Sequence, residues 1–546
     1  MIRGPFCFGP SCSGPSCSGP SMPARRALRR ILAAACALLV AGTAPARDLA
    51  GEIRGAMMRA KFDSTSVGFA IVDCHSEQVL AASNATGLYI PASNLKVVTT
   101  AAALDVLGPD FAFETRLLVA RSGERTVATL VGAGDPALFD PEALQSDGSH
   151  GNWTTVTAAV DAWTQTLRGA GVARIDEFIV DARIFDSEPI PTGDAKWLKN
   201  RDDGVYAVGV WGLNIAANAV MVTPSWSANG RPGLAVVEPP IPFRISANSA
   251  TCNPKLKGTF AMGFGKAPGT LTLAGNLQRK SDPIAVALHQ PLALAGEMFA
   301  AEFTRRGISV SGWRVAAATD PAAAGAAVEP VLRTPIATVL RGANTDSKNI
   351  YAEALVKRMG AHAANAPGTG VGPGFRPGSW TNGLAAMTNA LTRRMVTECT
   401  GRLCLTDGSG LSAENRVTPD FTVRLLASMA RDNRVTAPYF ASFARPREPG
   451  TLQRRFSNAK LDGVAVYGKS GYINEASCLS GVVIGPGGRA IAYSVLCNDL
   501  RGRVREAKAL QEDVVEAIAR ELRGPSAAPA NPRTAAADDD RTGSRN

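Results

Sequence analysis

Ser93, Asn94, Leu95 and Lys96 place a hydroxyl and an amine three residues apart at the head of an apolar stretch. On a helix, residues i and i+3 share a face with Cβ atoms roughly 5–6 Å apart, so Lys96 can reach the Ser93 hydroxyl. Acyl transfer by a serine needs a base for its proton and donors for the developing oxyanion. Histidine is a poor candidate for the base. The four in the chain, His75, His150, His289 and His362, lie far apart and in no zinc-binding spacing. A second S-x-x-K, Ser457 to Lys460, sits between Arg454-Arg455 and a turn at Asp462-Gly463, whereas Ser93 follows Pro91-Ala92 and opens the more apolar helix. Spacing alone fits an exposed helix-start serine with a solvated lysine better than it fits a catalytic pair.

Two further elements bear on the choice. An S-x-N triplet offers a hydroxyl and an amide, and it occurs at Ser227/Asn229, Ser246/Asn248, Ser347/Asn349 and Ser544/Asn546. Only Ser347-Lys348-Asn349 directly precedes a helical pattern, where an N-cap serine is the plain alternative. Lys469-Ser470-Gly471 is the single K-[ST]-G and ends the apolar run 464–467. A basic residue and a hydroxyl on a strand can hold a substrate carboxylate, while a surface strand ending in a turn glycine explains the same letters.

The elements that must position these groups follow from periodicity. Residues 67–82 predict a hairpin with a polar turn at 73–78, and Leu95, Val98, Ala102 and Leu107 space a helix that Gly108-Pro109 stops. From about 118 to 290, short strand-like runs among many Gly and Pro predict a mostly β insertion. Helices are expected at 293–306, at 350–359 ending on Gly360, and at 503–522, with strands at 464–467, 479–484 and 490–496 and a Gly/Pro-rich loop at 367–377.

The chain has 546 residues, 45% hydrophobic and 19% charged, as in globular proteins of two or three domains. Residues 1–46 carry five Arg and no acid, leaving 53 basic against 47 acidic residues in the remainder, interspersed rather than in the runs of a nucleic-acid binder. Arg25, Arg26, Arg29 and Arg30, the apolar stretch 31–40 and Ala44-Pro45-Ala46 predict a signal peptide cleaved near Ala46, hence a periplasmic product without a transmembrane anchor. Upstream, 9–21 repeats Gly-Pro-Ser-Cys-Ser, and Met22 is an alternative start. A disordered tail is expected at 525–546.

Six cysteines follow the cleavage site, and no C-x-x-C pair suggests metal. If Gly487-Gly488 forms a two-residue turn, Cys478 faces Cys497 and a disulfide becomes possible; a four-residue loop would put Cys478 opposite Val495, and two free buried thiols are the alternative. Cys399 and Cys404, with a four-residue spacer, are the other candidate pair.

The order S-x-x-K, S-x-N, K-[ST]-G is that of penicillin-binding proteins and class A β-lactamases. With 88–96, 130–136, Leu213-Asn214, Asn218, Asp346 to Glu353, Asp407 to Ser412, Asn415, Thr418 and Pro419, the chain from about 65 to 522 resembles the D-alanyl-D-alanine carboxypeptidase/endopeptidase family, peptidase family S13. The resemblance implies an α/β fold: a serine transpeptidase/β-lactamase-like catalytic domain, an antiparallel sheet with helices, at 47–117 and 291–524, split by one or more inserted β-rich domains at 118–290. It implies a serine DD-peptidase acting on peptidoglycan stem peptides, acylated by β-lactams and needing no cofactor or metal. Ser93 would be the nucleophile and Lys96 its base, with a pKa lowered by burial and a nearby cation such as Lys469. Ser347 would pass the proton to the leaving amine and Asn349 hold the substrate amide. Lys469 and Ser470 would bind the carboxylate, with the Ser93 and Tyr472 N–H groups, beside Gly471, as oxyanion hole.

The chain departs from the family pattern at Ser470 and Tyr472, where Thr is common, and in a segment bearing Arg445, Arg447 and Glu448. A β-lactamase-like hydrolase is one alternative, although in class A enzymes S-x-N follows the nucleophile by some sixty residues, against 254 here. A catalytically weak penicillin-binding module is the other.

Overall fold

The apolar runs around 70, 480 and 493 form the middle of a five-stranded antiparallel sheet, because each is covered on both faces. Its strands are β1 (Val67–Asp73), β2 (Val79–Ser83), β18 (Ala465–Ile473), β19 (Ala476–Ile484) and β20 (Ala490–Asn498), in the order β18-β19-β20-β1-β2. All seven residues of β1 are buried, which explains why it reads as a continuous apolar run rather than an alternation. The structure is a computed structural model describing residues 48–524 apart from 63–64, 144–154, 192–193, 195–196, 198–203, 229, 268, 366–373 and 396–400. The expected leader and tail lie outside the described residues, as do Cys399 and most of the 367–377 loop. Residues Leu49–Gly524 make one compact unit.

Helices α1 (Leu49–Ala60) and α10 (Val504–Arg523) cover one face of this sheet through Ile53, Leu510, Val514 and Ile518. The other face opens on a core shared with α2 (Lys96–Leu107), α5 (Ile336–Asn344), α6 (Asn349–Ala364), α7 (Trp380–Met395), α8 (Pro419–Arg431) and α9 (Thr436–Ala441), of which α8 packs directly on β1, β19 and β20. Helix α6 does not stop at Gly360 as expected. A Cβ there would lie 2.0 Å from Asn382 Oδ1 and 2.7 Å from Gly383 N, so the glycine serves the close packing of α6 on α7.

The inserted part has its own core. Strands β3 (Ala112–Ser122), β4 (Arg125–Val131), β6 (Glu177–Asp181), β14 (Trp313–Val315) and β15 (Ala326–Pro335) form a mixed sheet ordered β14-β6-β4-β3-β15, and the short pair β5 (Arg174–Ile175) and β13 (Ser309–Val310) adjoins it in sequence. Helices α3 (Val156–Gly169) and α4 (Pro291–Arg305) pack on it, with Phe299 against Trp163 and Phe178. The insertion is therefore less β-rich than its composition suggests, and α4 sits in this second core. The boundary expected at 290 falls near Pro335, where β15, paired with β3, hands over to α5. Smaller sheets follow the orders β12-β7-β8 and β10-β11-β9, from β7 (Ala219–Pro224), β8 (Leu234–Glu238), β9 (Arg244–Asn248), β10 (Ala261–Phe264), β11 (Thr270–Ala274) and β12 (Ile284–Ala287); β16 (Leu403–Cys404) pairs with β17 (Arg416–Val417).

The β19–β20 register overturns the proposed 478–497 disulfide. Ile484 faces Ala490, so a five-residue connection, not a two-residue one, joins the strands, and Cys478 faces Leu496 while Cys497 faces Ser477. A one-residue offset sends neighbouring side chains to opposite faces: Cys478 joins the core under α2, and Cys497 the core under α10. Both are free buried thiols, and Cys404 is free and exposed. Unfolding the unreduced protein should render Cys478 and Cys497 fully alkylatable; a 478–497 cross-linked peptide would contradict this register.

Candidate active site

Ser93 lies in a 3-10 turn, Ala92–Leu95, that runs directly into α2. Ala92 is held at φ +49, a left-handed conformation costing a non-glycine residue about 1–3 kcal/mol, of the kind that persists where surrounding contacts over-determine it. Asn94 supplies such contacts. Its amide donates to the Lys469 carbonyl (2.6 Å) and its Oδ1 accepts from the Ser480 hydroxyl (2.8 Å). Gly471 permits the approach, since a Cβ there would stand 2.5 Å from the Pro91 carbonyl oxygen. The turn is thus fastened to β18 and β19.

Lys96 is fully buried. Its Nζ is 2.9 Å from Ser93 Oγ, 2.7 Å from Asn349 Oδ1 and 2.9 Å from the Ser409 carbonyl oxygen. Asn349 heads α6, and its Nδ2 donates to the Tyr206 carbonyl (2.9 Å), which fixes Oδ1 toward Lys96. Burial lowers the Lys96 pKa to about 7, against the opposing charges of Glu353 and Asp407. Lys469, also fully buried, contacts Ser347 Oγ at 2.9 Å and the Ser470 carbonyl at 2.7 Å. Burial pushes it well below its ordinary value, and the charge of Lys96 adds to that. Of the two causes expected from sequence, burial and a nearby cation such as Lys469, burial is the one that lowers Lys96.

Ser347 occupies φ +63. The next residue is clamped: Lys348 Nζ pairs with Asp140 (2.5 Å) and Glu142 (2.9 Å), and Tyr351 donates to the same Asp140 oxygen. An acid after β4 of the insertion thereby braces the turn that presents Ser347. Strand β18 is an edge strand, and Gly468 N–H points outward to the Ala444 carbonyl. By period-two alternation the N–H groups of Ser470 and Tyr472 face that same edge, beside Ser93. The Tyr472 ring is exposed, and Arg445 pairs with Glu448 at the surface while stacking over Tyr467. The sequence departures thus add no buried charge.

Ser93, Lys96, Ser347, Asn349, Lys469 and Gly471 come together. The rival Ser457 and Lys460 do not: both are exposed in an irregular segment. Of the other S-x-N triplets, Ser246 and Asn248 lie on β9 of the insertion, and Asn229, Ser544 and Asn546 are outside the described residues. Sequence reasoning missed the supports. Glu353 accepts from the Gly408 and Ser409 N–H groups and from Trp380 Nε1, and Asp407 accepts from Gly410 N, Ser412 N, Asn415 and Trp197 Nε1. Together they hold the loop that offers the Ser409 carbonyl to Lys96. Carboxylates embedded in 346–353 and 407–412 were a visible signal; Asp140, Trp197 and Tyr206 had none. Among the described residues no cluster of His, Cys, Asp or Glu could hold a metal.

The family model for D-Ala-D-Ala carboxypeptidase 3 (S13) matches residues 49–520. A D-alanyl-D-alanine carboxypeptidase of Actinomadura sp. (strain R39) is 28% identical over 499 residues, 86% of this chain and 85% of that one. A carboxypeptidase of Mycobacterium tuberculosis is 24% identical over 77% of this chain and 73% of its own. The crystal structure of penicillin binding protein 4 from Haemophilus influenzae aligns with a TM-score of 0.65 and 18% identity, covering 85% of this chain and 99% of that one. The fold likeness matches the antiparallel sheet with helices and additional domains.

Proposed function

The chain belongs to the D-Ala-D-Ala carboxypeptidase 3 (S13) family and is a serine-type DD-peptidase of peptidoglycan, and from that premise we propose that Ser93 carries the acyl group and Lys96 activates it. The observation that carries this reading is the set of partners around Lys96. A neutral amine has two protons and one lone pair. Asn349 Oδ1 and the Ser409 carbonyl can only accept, so they take the two protons and leave the lone pair for the Ser93 hydroxyl.

Ser93 Oγ attacks the carbonyl carbon of the penultimate D-Ala as its proton passes to Lys96 Nζ. The oxyanion forms against the N–H groups of Ser93 and Tyr472, which need no reorganisation because β18 and the 3-10 turn are tied together through Asn94. Lys469 and Ser470 hold the terminal carboxylate, and the charge-assisted pairing favours substrates ending in one. As the C–N bond breaks, Ser347, bonded to Lys469, relays the proton taken up by Lys96 to the departing D-Ala amine, which returns Lys96 to its neutral form and leaves Ser347 a hydroxyl. Asn349 orients the peptide amide. Water then releases the acyl group from Ser93. A β-lactam enters by the same attack and forms the corresponding adduct. The paired lysines and serines favour an enzyme over a binding module. Export to the periplasm belongs to the same reading, supported by the basic and apolar pattern at 25–40 and by the wall substrate. Among the described residues no helix is long and apolar enough to cross a membrane.

Incubating a muropeptide pentapeptide with the protein should release D-Ala, read by mass spectrometry, and Ser93→Ala should release none. The rate should rise about tenfold per pH unit below the Lys96 pKa of about 7 and level off above it, since only the neutral amine has a lone pair. A rate that falls through that interval as pH rises would exclude Lys96 as the base.

A further inference from the structure

We infer that the lobe 225–283 of the insertion is a sacculus-binding exosite: a basic surface that docks on the carboxylate-bearing peptides of peptidoglycan, away from the cleavage chemistry. The inference rests on the DD-peptidase reading for its partner, and on charge distribution for its place. Residues 225–283 contain seven basic residues, Arg231, Arg244, Lys255, Lys257, Lys266, Arg279 and Lys280, against two acids, Glu238 and Asp282. The rest of the chain after Ala46 holds 46 basic and 45 acidic residues. Nearly the whole positive excess of the mature chain is therefore concentrated in this one lobe.

These charges stand in water and are mostly unneutralised. Lys255, Lys257, Lys266, Arg279 and Lys280 are all exposed. Among the described residues only Arg244 of the seven forms an ion pair, with Glu297 at 3.2 Å.

One buried side chain ties together the two chain segments that carry four of these cations. Asn276 accepts from Thr251 Oγ1 and Asn253 N, both at 2.9 Å, and donates to the carbonyls of Asn253, Leu256 and Lys257 at 3.0, 3.1 and 3.3 Å. Thr259 N donates to the Asn276 carbonyl at 2.9 Å. The turn carrying Lys255 and Lys257 thus lies beside the segment carrying Arg279 and Lys280, held by a network that gives it fixed shape. Cations carried on a backbone of fixed shape spend less ordering entropy on binding than cations on a loose chain. Leu256, which lies between the two lysines in sequence, has 53% of its surface exposed, an apolar contact for a peptide backbone rather than for free ions. The complementary partner is a polymer with repeated carboxylates. Stem peptides, the substrate of the catalytic groove, supply these many times over on one sacculus, so weak individual pairings add through multivalency.

Co-sedimentation with purified sacculi tests the inference. At low salt the wild-type protein and Ser93→Ala should both pellet with sacculi, and at roughly 0.5 M salt, where screening shortens to a few ångström, both should be released. Replacing Lys255, Lys257, Arg279 and Lys280 together by Gln should weaken sacculus binding about tenfold or more, while D-Ala release from the soluble pentapeptide stays at the wild-type rate. That unchanged rate also shows that the variant is folded. Equal pelleting of wild type and variant overturns the exosite, and so does capture by phosphatidylglycerol vesicles without capture by sacculi. Failure of the DD-peptidase reading would appear separately, as wild-type protein that binds sacculi and releases no D-Ala.

Discussion

Ser93→Ala is expected to abolish covalent labelling by a fluorescent penicillin, while Ser457→Ala labels at the wild-type rate. The two serines share the same S-x-x-K spelling and differ in everything around them. Ser93 has its lysine buried 2.9 Å away, with the remaining hydrogen-bonding capacity of that amine directed to Asn349 and Ser409. Ser457 and Lys460 are both exposed to water in an irregular segment, without the helix start that sets Ser93 against Lys96. Without the Ser93 hydroxyl no acyl bond can form, so the loss is complete rather than graded. The adduct is read as a fluorescent band on a denaturing gel and mapped to its peptide. Labelling that survives Ser93→Ala and vanishes with Ser457→Ala would place the nucleophile in the wrong turn.

The second large effect separates the two buried lysines. Lys96→Arg should reduce acylation by about 10²–10⁴-fold, the range of general base catalysis, because guanidinium does not give up its proton in a protein. Lys469→Arg keeps a cation for the substrate carboxylate, and its loss comes from forcing a longer head into a filled position beside Ser347. Overpacking of that kind costs about 1–3 kcal/mol, or roughly ten- to a hundredfold. Stopped-flow acylation by a chromogenic β-lactam measures both, with thermal melts to show that each variant folds. Equal losses would mean that the lysines do not divide the work into base and carboxylate anchor.

The reading of fold from sequence succeeded where local pattern and tertiary role coincide. The hairpin at 67–82 was legible because Asp73 punctuates it, its Oδ1 accepting from His75 N and Ser76 N. The strands 479–484 and 490–496 were legible as apolar runs. Helix α3 and the ownership of α4 were not, because an amphipathic helix presents the same stripe to either core; Phe299 and Phe303 would suit both, and only their contacts with Trp163 and Phe178 assign them. The Gly487-Gly488 turn failed as a register marker. Both glycines do take positive φ, but the connection that uses them runs from 485 to 489, and the single residue of difference sends Cys478 and Cys497 to opposite faces.

The amino-acid order alone was enough to point to the family, a D-Ala-D-Ala carboxypeptidase family, and to nominate Ser93, Lys96, Ser347, Asn349 and Lys469 as candidates for its chemistry. Short spacing nominates them because the i, i+3 geometry of a helix start is a local property of the backbone, but the order of the three motifs and the wider family resemblance were needed to choose Ser93 over Ser457. Three things belonged to the tertiary structure. The lowered Lys96 pKa needs full burial, which depends on residues remote in sequence, Asn349 at 253 and Ser409 at 313 residues away among them. The left-handed Ser347 is braced by Asp140 of the inserted part, through Lys348, across 208 residues of chain. The pairing of the turn that carries Lys255 and Lys257 with the segment that carries Arg279 and Lys280 rests on a parallel bridge between Thr251 and Asn276 that no periodicity announces. In each case the deciding quantity is desolvation or proximity between residues remote in sequence, and neither is defined until the chain has folded.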